Sequence, residues 1–208
     1  MIITPLNLTQ LKQIFNQDAQ SVINYFIFKA VISQPELTQG QKVNPIQIPK
    51  EHIEQWGVQA LRLKSIGAGN YPIDLIDKTG SFGVDIKMLA WSADKTESNE
   101  TSLGQKFDVE VKLDTLFLSK NYDQIVKEWI DILDDKYSSL FEKHPKLKNI
   151  YYFILVREGS KFHIEGMTVD NKKFYLMKKE NVSNKSVWLD KIKKKNYGRI
   201  KIYSSKKR

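Results

Sequence analysis

Apolar positions along the chain recur with two different periods. Leu8, Leu11, Phe15, Val22, Phe26 and Ala30 return at three- and four-residue steps, which predicts one long amphipathic helix over residues 8–33. Pro35, Gly40 and Pro45 mark residues 34–49 as a loop. Pro49 then opens a second helix over 50–64, with Ile53, Trp56, Ala60 and Leu63 on one face and Gly67-Ala68-Gly69 as its stop. Two short strands, 72–77 and 82–91, follow around a turn at 78–81. Residues 92–106 are polar and loop-like, and 107–112 read as a short strand. Ile125, Trp129, Ile132, Leu133 and Tyr137, with Leu140 or Phe141, set a third helix over 122–142. The dense apolar run 150–156 reads as a buried strand. Further strands are expected at 161–169, 173–177 and 199–203, with a short basic helix at 188–195. Helices alternating with strands in this way predict an α/β (α+β) fold with a mixed central sheet.

The two strands after the second helix hold the candidate chemistry. Pairing them around the 78–81 turn sets Asp77 against Phe82, Leu75 against Val84 and Asp74 against Asp85. Side chains alternate along a strand, so Asp74, Asp85 and Lys87 emerge on one face. Ile73, Leu75, Val84 and Ile86 are expected on the other. Facing carboxylates repel unless a positive charge lies between them. A divalent cation held by oxygen ligands would meet that need, and Lys87 adds a second positive charge. The bland alternative is a surface hairpin with solvated acids.

Composition narrows the partners. The 208 residues carry 33 Lys or Arg against 24 Asp or Glu, a net charge of +9. The excess is concentrated at one end, where residues 145–208 hold 18 Lys or Arg against 5 Asp or Glu. That asymmetry suggests a footprint for a polyanion, although Lys-rich solvated surface is the competing reading. Lys191, Lys193, Lys194, Lys195, Arg199 and Lys201 are placed to contact phosphates. There is no Cys, so disulfides, thiolate metal sites and cysteine nucleophiles are excluded. His52, His144 and His163 are scattered, which argues against a histidine-based zinc site. The longest apolar stretch, residues 22–32, is too short to span a bilayer, so no membrane partner is expected. No phosphate-binding Gly-Lys loop is present, which argues against ATP. A Cys-free, Lys- and Asn-rich chain without a signal peptide suggests a soluble bacterial cytoplasmic protein.

Asp74, with Pro72 two positions ahead, followed by Asp85-Ile86-Lys87, resembles the active-site pattern of the PD-(D/E)xK nuclease superfamily, whose best-known members are type II restriction endonucleases. In that pattern an acidic residue, often preceded by Pro, is followed by an acidic residue, any residue and Lys. The order from residue 50 (helix, strand, strand, possible strand, helix, strand) agrees with the αβββαβ core of that superfamily. The resemblance implies a single nuclease domain over 1–208, with its core at about 50–156. A helical segment, 1–49, would precede the core and a basic, β-rich part, 157–208, would follow it. It implies Mg²⁺ held by Asp74, Asp85 and the backbone carbonyl of Ile86, and Lys87 beside the attacking water. Many members also carry a Glu on the preceding helix, which suggests Glu54 over Glu51, and some carry a nearby Gln, here Gln105. A rival assignment makes Asp85 the first acid and takes Glu110 and Lys112 as the motif. Asp85 is a metal ligand in both assignments.

The expected activity is Mg²⁺-dependent cleavage of double-stranded DNA at a specific short site, by a restriction-modification enzyme working as a homodimer. Residues 8–33 are one possible dimer interface, with core packing the plainer reading. The alternatives are a structure-directed nuclease of repair, recombination or transposition, and a basic nucleic-acid-binding protein without catalysis.

Overall fold

Asn16 cuts the N-terminal periodicity in two. The computed structural model describes residues 2–40, 46, 48–66, 71–90, 112–190 and 201–204. In it, helix α1 (Leu8–Ile14) ends at Phe15 and helix α2 (Gln17–Ile32) begins afresh. The Asn16 side chain accepts a hydrogen bond from the Ala19 N–H at 3.0 Å, and Asn7 caps α1 in a reciprocal pair with Gln10. Each cap satisfies N–H groups that a helix start leaves without partners, so one continuous helix gives way to two. A strand the periodicity did not announce, β1 (Ile3–Pro5), precedes them.

Helix α3 (Lys50–Leu61) follows Pro49 as expected, but it stops before residue 64. Arg62 takes the left-handed conformation at φ 54°, and Lys64–Ser65 become strand β2. The Gly67-Ala68-Gly69 stop lies outside the described residues. Strands β3 (Leu75–Ile76) and β4 (Phe82–Ala90) form the expected hairpin. The chain then passes through α4 (Leu113–Leu118) and α5 (Tyr122–Lys143) to β5 (Asn149–Glu158) and β6 (Lys161–Val169). Of the strand expected at 173–177, residues 173–176 belong instead to a 3-10 helix, Asn171–Leu176, and Met177 is the extended residue that follows it. Strands β7 (Lys178–Ser183), β8 (Ser186–Asp190) and β9 (Lys201–Tyr203) end the described chain. The basic helix expected at 188–195 is therefore strand through Asp190, and residues 191–195 lie outside the described residues.

The main sheet runs β1-β6-β5-β4-β3-β2, so it draws strands from both flanks of the 50–156 segment. Among the described strands only β4 and β5 run parallel, and the connection between them passes through α4 and α5. The other neighbours are antiparallel. Helices α1 to α3 cover one face, where Phe15, Ile23, Trp56, Leu75, Val84, Ile86, Phe153 and Leu155 are buried together. Helices α4 and α5 cover the other, with Ile125, Leu133, Tyr137, Leu140 and Ile150. A second sheet, β7-β8-β9, packs Val187, Leu189 and Ile202 into this second core. The result is a mixed α/β fold, with both faces of the six-stranded sheet covered. Each fully buried large side chain here, such as Tyr137 or Phe153, contributes about 1.5–3 kcal/mol relative to exposure.

Candidate active site

The 78–81 turn fixes the hairpin register. The Asp77 carboxylate accepts hydrogen bonds from the Thr79 N–H and the Phe82 N–H, each at 2.9 Å, and from the Thr79 hydroxyl. Gly80 supplies the positive φ of +78° that closes the turn. Burial alone would raise the Asp77 carboxyl, but hydrogen bonds from the Thr79 side chain and the backbone of Phe82, Thr79 and Ser81 outweigh it and lower it to about 2. Leu75 then pairs with Val84 and Ile76 with Gly83, which is the register the sequence predicts.

The observed strand β3 is shorter than expected, however, and Ile73 falls outside it. Ile73 is buried in the core beneath α5, over Gly83, instead of beside Leu75. Strict alternation ends where the ladder ends, and the missing side chain at Gly83 leaves room for Ile73.

Asp74 and Asp85 meet at the end of that ladder. Lys87 Nζ lies 3.1 Å from Asp74 Oδ2 and 2.8 Å from Asp85 Oδ1. The same Asp74 oxygen accepts a hydrogen bond from the Ile86 N–H at 3.2 Å. The N–H and C=O of one strand residue share an edge, so the Ile86 carbonyl is directed to this side as well. Among the described residues, the stretch of β4 from Ile86 to Ala90 pairs with β5 alone, leaving its other edge toward Asp74. Asp74, Asp85 and Lys87 are only 21%, 16% and 17% exposed at the side chain, so their charges act on one another with little screening.

Asp85 carries the electrostatic cost of this cluster. Burial pushes its carboxyl up to about 8, Lys87 pulls it back, and the neighbouring Asp74 adds to the rise. The floor of the site is a pair the sequence reading missed. Tyr152 is the register partner of Asp85 on β5, and its hydroxyl lies 2.8 Å from that of Tyr137 on α5. Burial raises the Tyr137 phenol, the Tyr152 hydrogen bond opposes this, and the Asp85 charge adds to it. Nothing in the sequence order could place Tyr152 beside Asp85, since that depends on a parallel pairing between strands separated by residues 91–148.

The donor set suits a hard divalent cation. Two carboxylates and a backbone carbonyl offer oxygen alone, and the burial and neighbouring Asp74 that raise the Asp85 carboxyl make an added positive charge there favourable. Among the described residues there is no group of three or more His, Asp or Glu that could hold a metal, so the two carboxylates would share the cation with waters and substrate. Glu54 is half-buried on α3, which packs on the opposite sheet face against Leu75 and Ile86. Lys112 is exposed, immediately before α4. Glu110, Gln105, Lys191, Lys193, Lys194, Lys195 and Arg199 lie outside the described residues, as does the side chain of Glu51. Lys201 is on β9, its ammonium 5.1 Å from the centre of the Trp188 ring.

No protein-family model matches the chain, and comparison with curated proteins and with solved structures finds no match. Among the described residues no helix is long and apolar enough to cross a membrane.

Proposed function

We propose that the chain is a Mg²⁺-dependent endonuclease that hydrolyses phosphodiester bonds in double-stranded DNA, of the type II restriction kind. The observation that carries this reading is the convergence of Asp74 and Asp85 on Lys87, each within 3.1 Å of its ammonium, on one side of a hairpin whose ladder ends beside them. The element order supports it: α3, then the antiparallel run β2-β3-β4, then the helical crossover to β5, parallel to β4, with β2 as the third strand because the one expected at 107–112 lies, up to residue 111, outside the described residues.

Asp74, Asp85 and the Ile86 carbonyl would hold the cation. When bound, Mg²⁺ would lower the pKa of a coordinated water and stabilise charge building on the phosphate. Asp85 would give up its proton as the cation binds, because both compete for the same carboxylate. Lys87, anchored against both acids, is the group to orient the attacking water and to neutralise the phosphate in the transition state. Asp77 and the 78–81 turn hold the register on which this geometry depends.

The basic C-terminal third would follow the DNA backbone, and a palindromic site would call for a two-fold homodimer. On this reading the enzyme works in the bacterial cytoplasm without ATP. Cleavage of plasmid and phage DNA with Mg²⁺ or EDTA, by the intact chain and by Asp85→Ala, tests it.

A further inference from the structure

The outward face of the second sheet presents aromatic rings among basic side chains. Strand β8 alternates cleanly: Val187 and Leu189 are buried with Ile202 in the core of α5, so Ser186, Trp188 and Asp190 turn away from it. The register sets Asn181 of β7 on one side of Trp188 and Lys201 of β9 on the other. Tyr203 faces Ser186, which makes it the diagonal neighbour of Trp188, roughly 7–8 Å away by sheet geometry. Lys178 lies on the same face, opposite Asp190. Trp188, Lys201 and Tyr203 are half-buried, while Lys178 and Asn181 are exposed. The sequence that carries this sheet is strongly basic, with eleven Lys or Arg against two Asp or Glu over residues 171–204, six of the eleven among the described residues.

We propose that this face binds single-stranded DNA, with bases stacked on Trp188 and Tyr203 and phosphates held by Lys201 and Lys178. The charge selects a polyanion, and the two rings select a strand whose bases are not already stacked in a duplex. The Lys201 ammonium lies over the indole, 5.1 Å from its centre, so a stacking base would take its place on the ring and leave the cation to a flanking phosphate. Asn181 and Ser186 add hydrogen-bonding groups at the rim without demanding one base. The site lies apart from the Asp74–Lys87 cluster, on a separate sheet. The choice of DNA over RNA rests on the nuclease reading.

Fluorescence anisotropy in EDTA, where metal-dependent cleavage does not run, tests the proposal on the full chain. The probes are a fluorescein-labelled oligothymidylate, a duplex of equal length and an oligouridylate RNA. Trp188→Ala and Tyr203→Ala are each expected to weaken oligothymidylate binding by about tenfold and to leave duplex binding unchanged. Trp188→Phe restores it, since phenyl still stacks. Lys201→Ala lowers the slope of log K against log salt by about 0.7. Lys64→Ala, an exposed lysine on β2 of the main sheet, changes neither. Circular dichroism melts confirm that each variant is folded.

Folded Trp188→Ala and Tyr203→Ala variants that bind oligothymidylate like the intact chain overturn the proposal, as does tighter binding of the RNA than of the DNA. Plasmid cleavage on the same preparations separates the two readings. Ring-dependent strand binding without cleavage removes the nuclease reading and supports the platform. Cleavage with ring-independent binding does the reverse.

Discussion

Asp74 accepts a hydrogen bond from the backbone N–H of Ile86 at 3.2 Å, so a carboxylate immediately before β3 is tied to the middle of the Asp85-Ile86-Lys87 run on β4. The same oxygen meets Lys87, which makes Asp74 both a charge and a structural tie. Asp74→Asn keeps an acceptor for Ile86 and removes the charge, whereas Asp74→Ala removes both. Both variants are expected to lose Mg²⁺-dependent cleavage. Asp74→Ala should in addition lose about 1–2 kcal/mol of stability relative to Asp74→Asn, measured by urea unfolding in EDTA. Equal stability of the two variants would remove the structural part of this account.

Asp85 makes stability depend on pH in an unusual direction. Its carboxyl is raised to about 8 in the fold, against about 3.9 in an unfolded chain. Between those values the native state holds a proton that the unfolded state has lost, so stability falls as pH rises from about 4 toward 8. Asp85→Asn removes this dependence. In EDTA the variant is expected to melt higher than the parent at pH 8 by several degrees, at about 2–4 °C per kcal/mol, with the gap closing near pH 4. Mg²⁺ should raise the parent's melting temperature at pH 8 and leave the variant's unchanged.

Asp77 acts in the opposite sense. Its folded value of about 2 lies below the unfolded one, so its contribution is present above about pH 4 and is lost as pH falls through 2. Asp77→Ala removes the hydrogen bonds to Thr79 and Phe82 and is expected to cost about 1 kcal/mol at pH 7. At pH 2 the parent and the variant should be nearly equal, a comparison that chemical unfolding at both pH values makes directly.

Tyr137 separates packing from hydrogen bonding beneath the site. Tyr137→Phe keeps the ring and drops the 2.8 Å contact with Tyr152, at a cost of about 1 kcal/mol. Tyr137→Ala empties a fully buried position and is expected to cost about 3–5 kcal/mol. Thermal melts of the two variants, read side by side, check the difference.

Much of this layout is legible in the residues themselves. The hairpin register follows from turn chemistry at 78–81 and from the partition of Leu75 and Val84 away from Asp85, both local signals. Helix α5 and strand β5 announce themselves through strong apolar patterning. What stays hidden has a physical reason in each case. The break at Asn16 is a capping choice that apolar spacing does not register. The turn at Arg62 uses a left-handed conformation at a non-glycine residue, which propensity disfavours. Ile73 leaves the expected face because the space over Gly83 is a tertiary feature. The placement of Tyr152 beside Asp85, and the pairing of β1 with β6, depend on long-range contacts that no local pattern encodes.

The central claim is that Asp85 is part of a metal-dependent nuclease site. Its most direct test is cleavage of plasmid and phage DNA by the purified chain with Mg²⁺, with EDTA, and with Asp85→Ala. The account predicts discrete Mg²⁺-dependent fragments that vanish with EDTA and in the variant. Intact DNA under every condition, on methylated and unmethylated substrates alike and with binding retained, would contradict it.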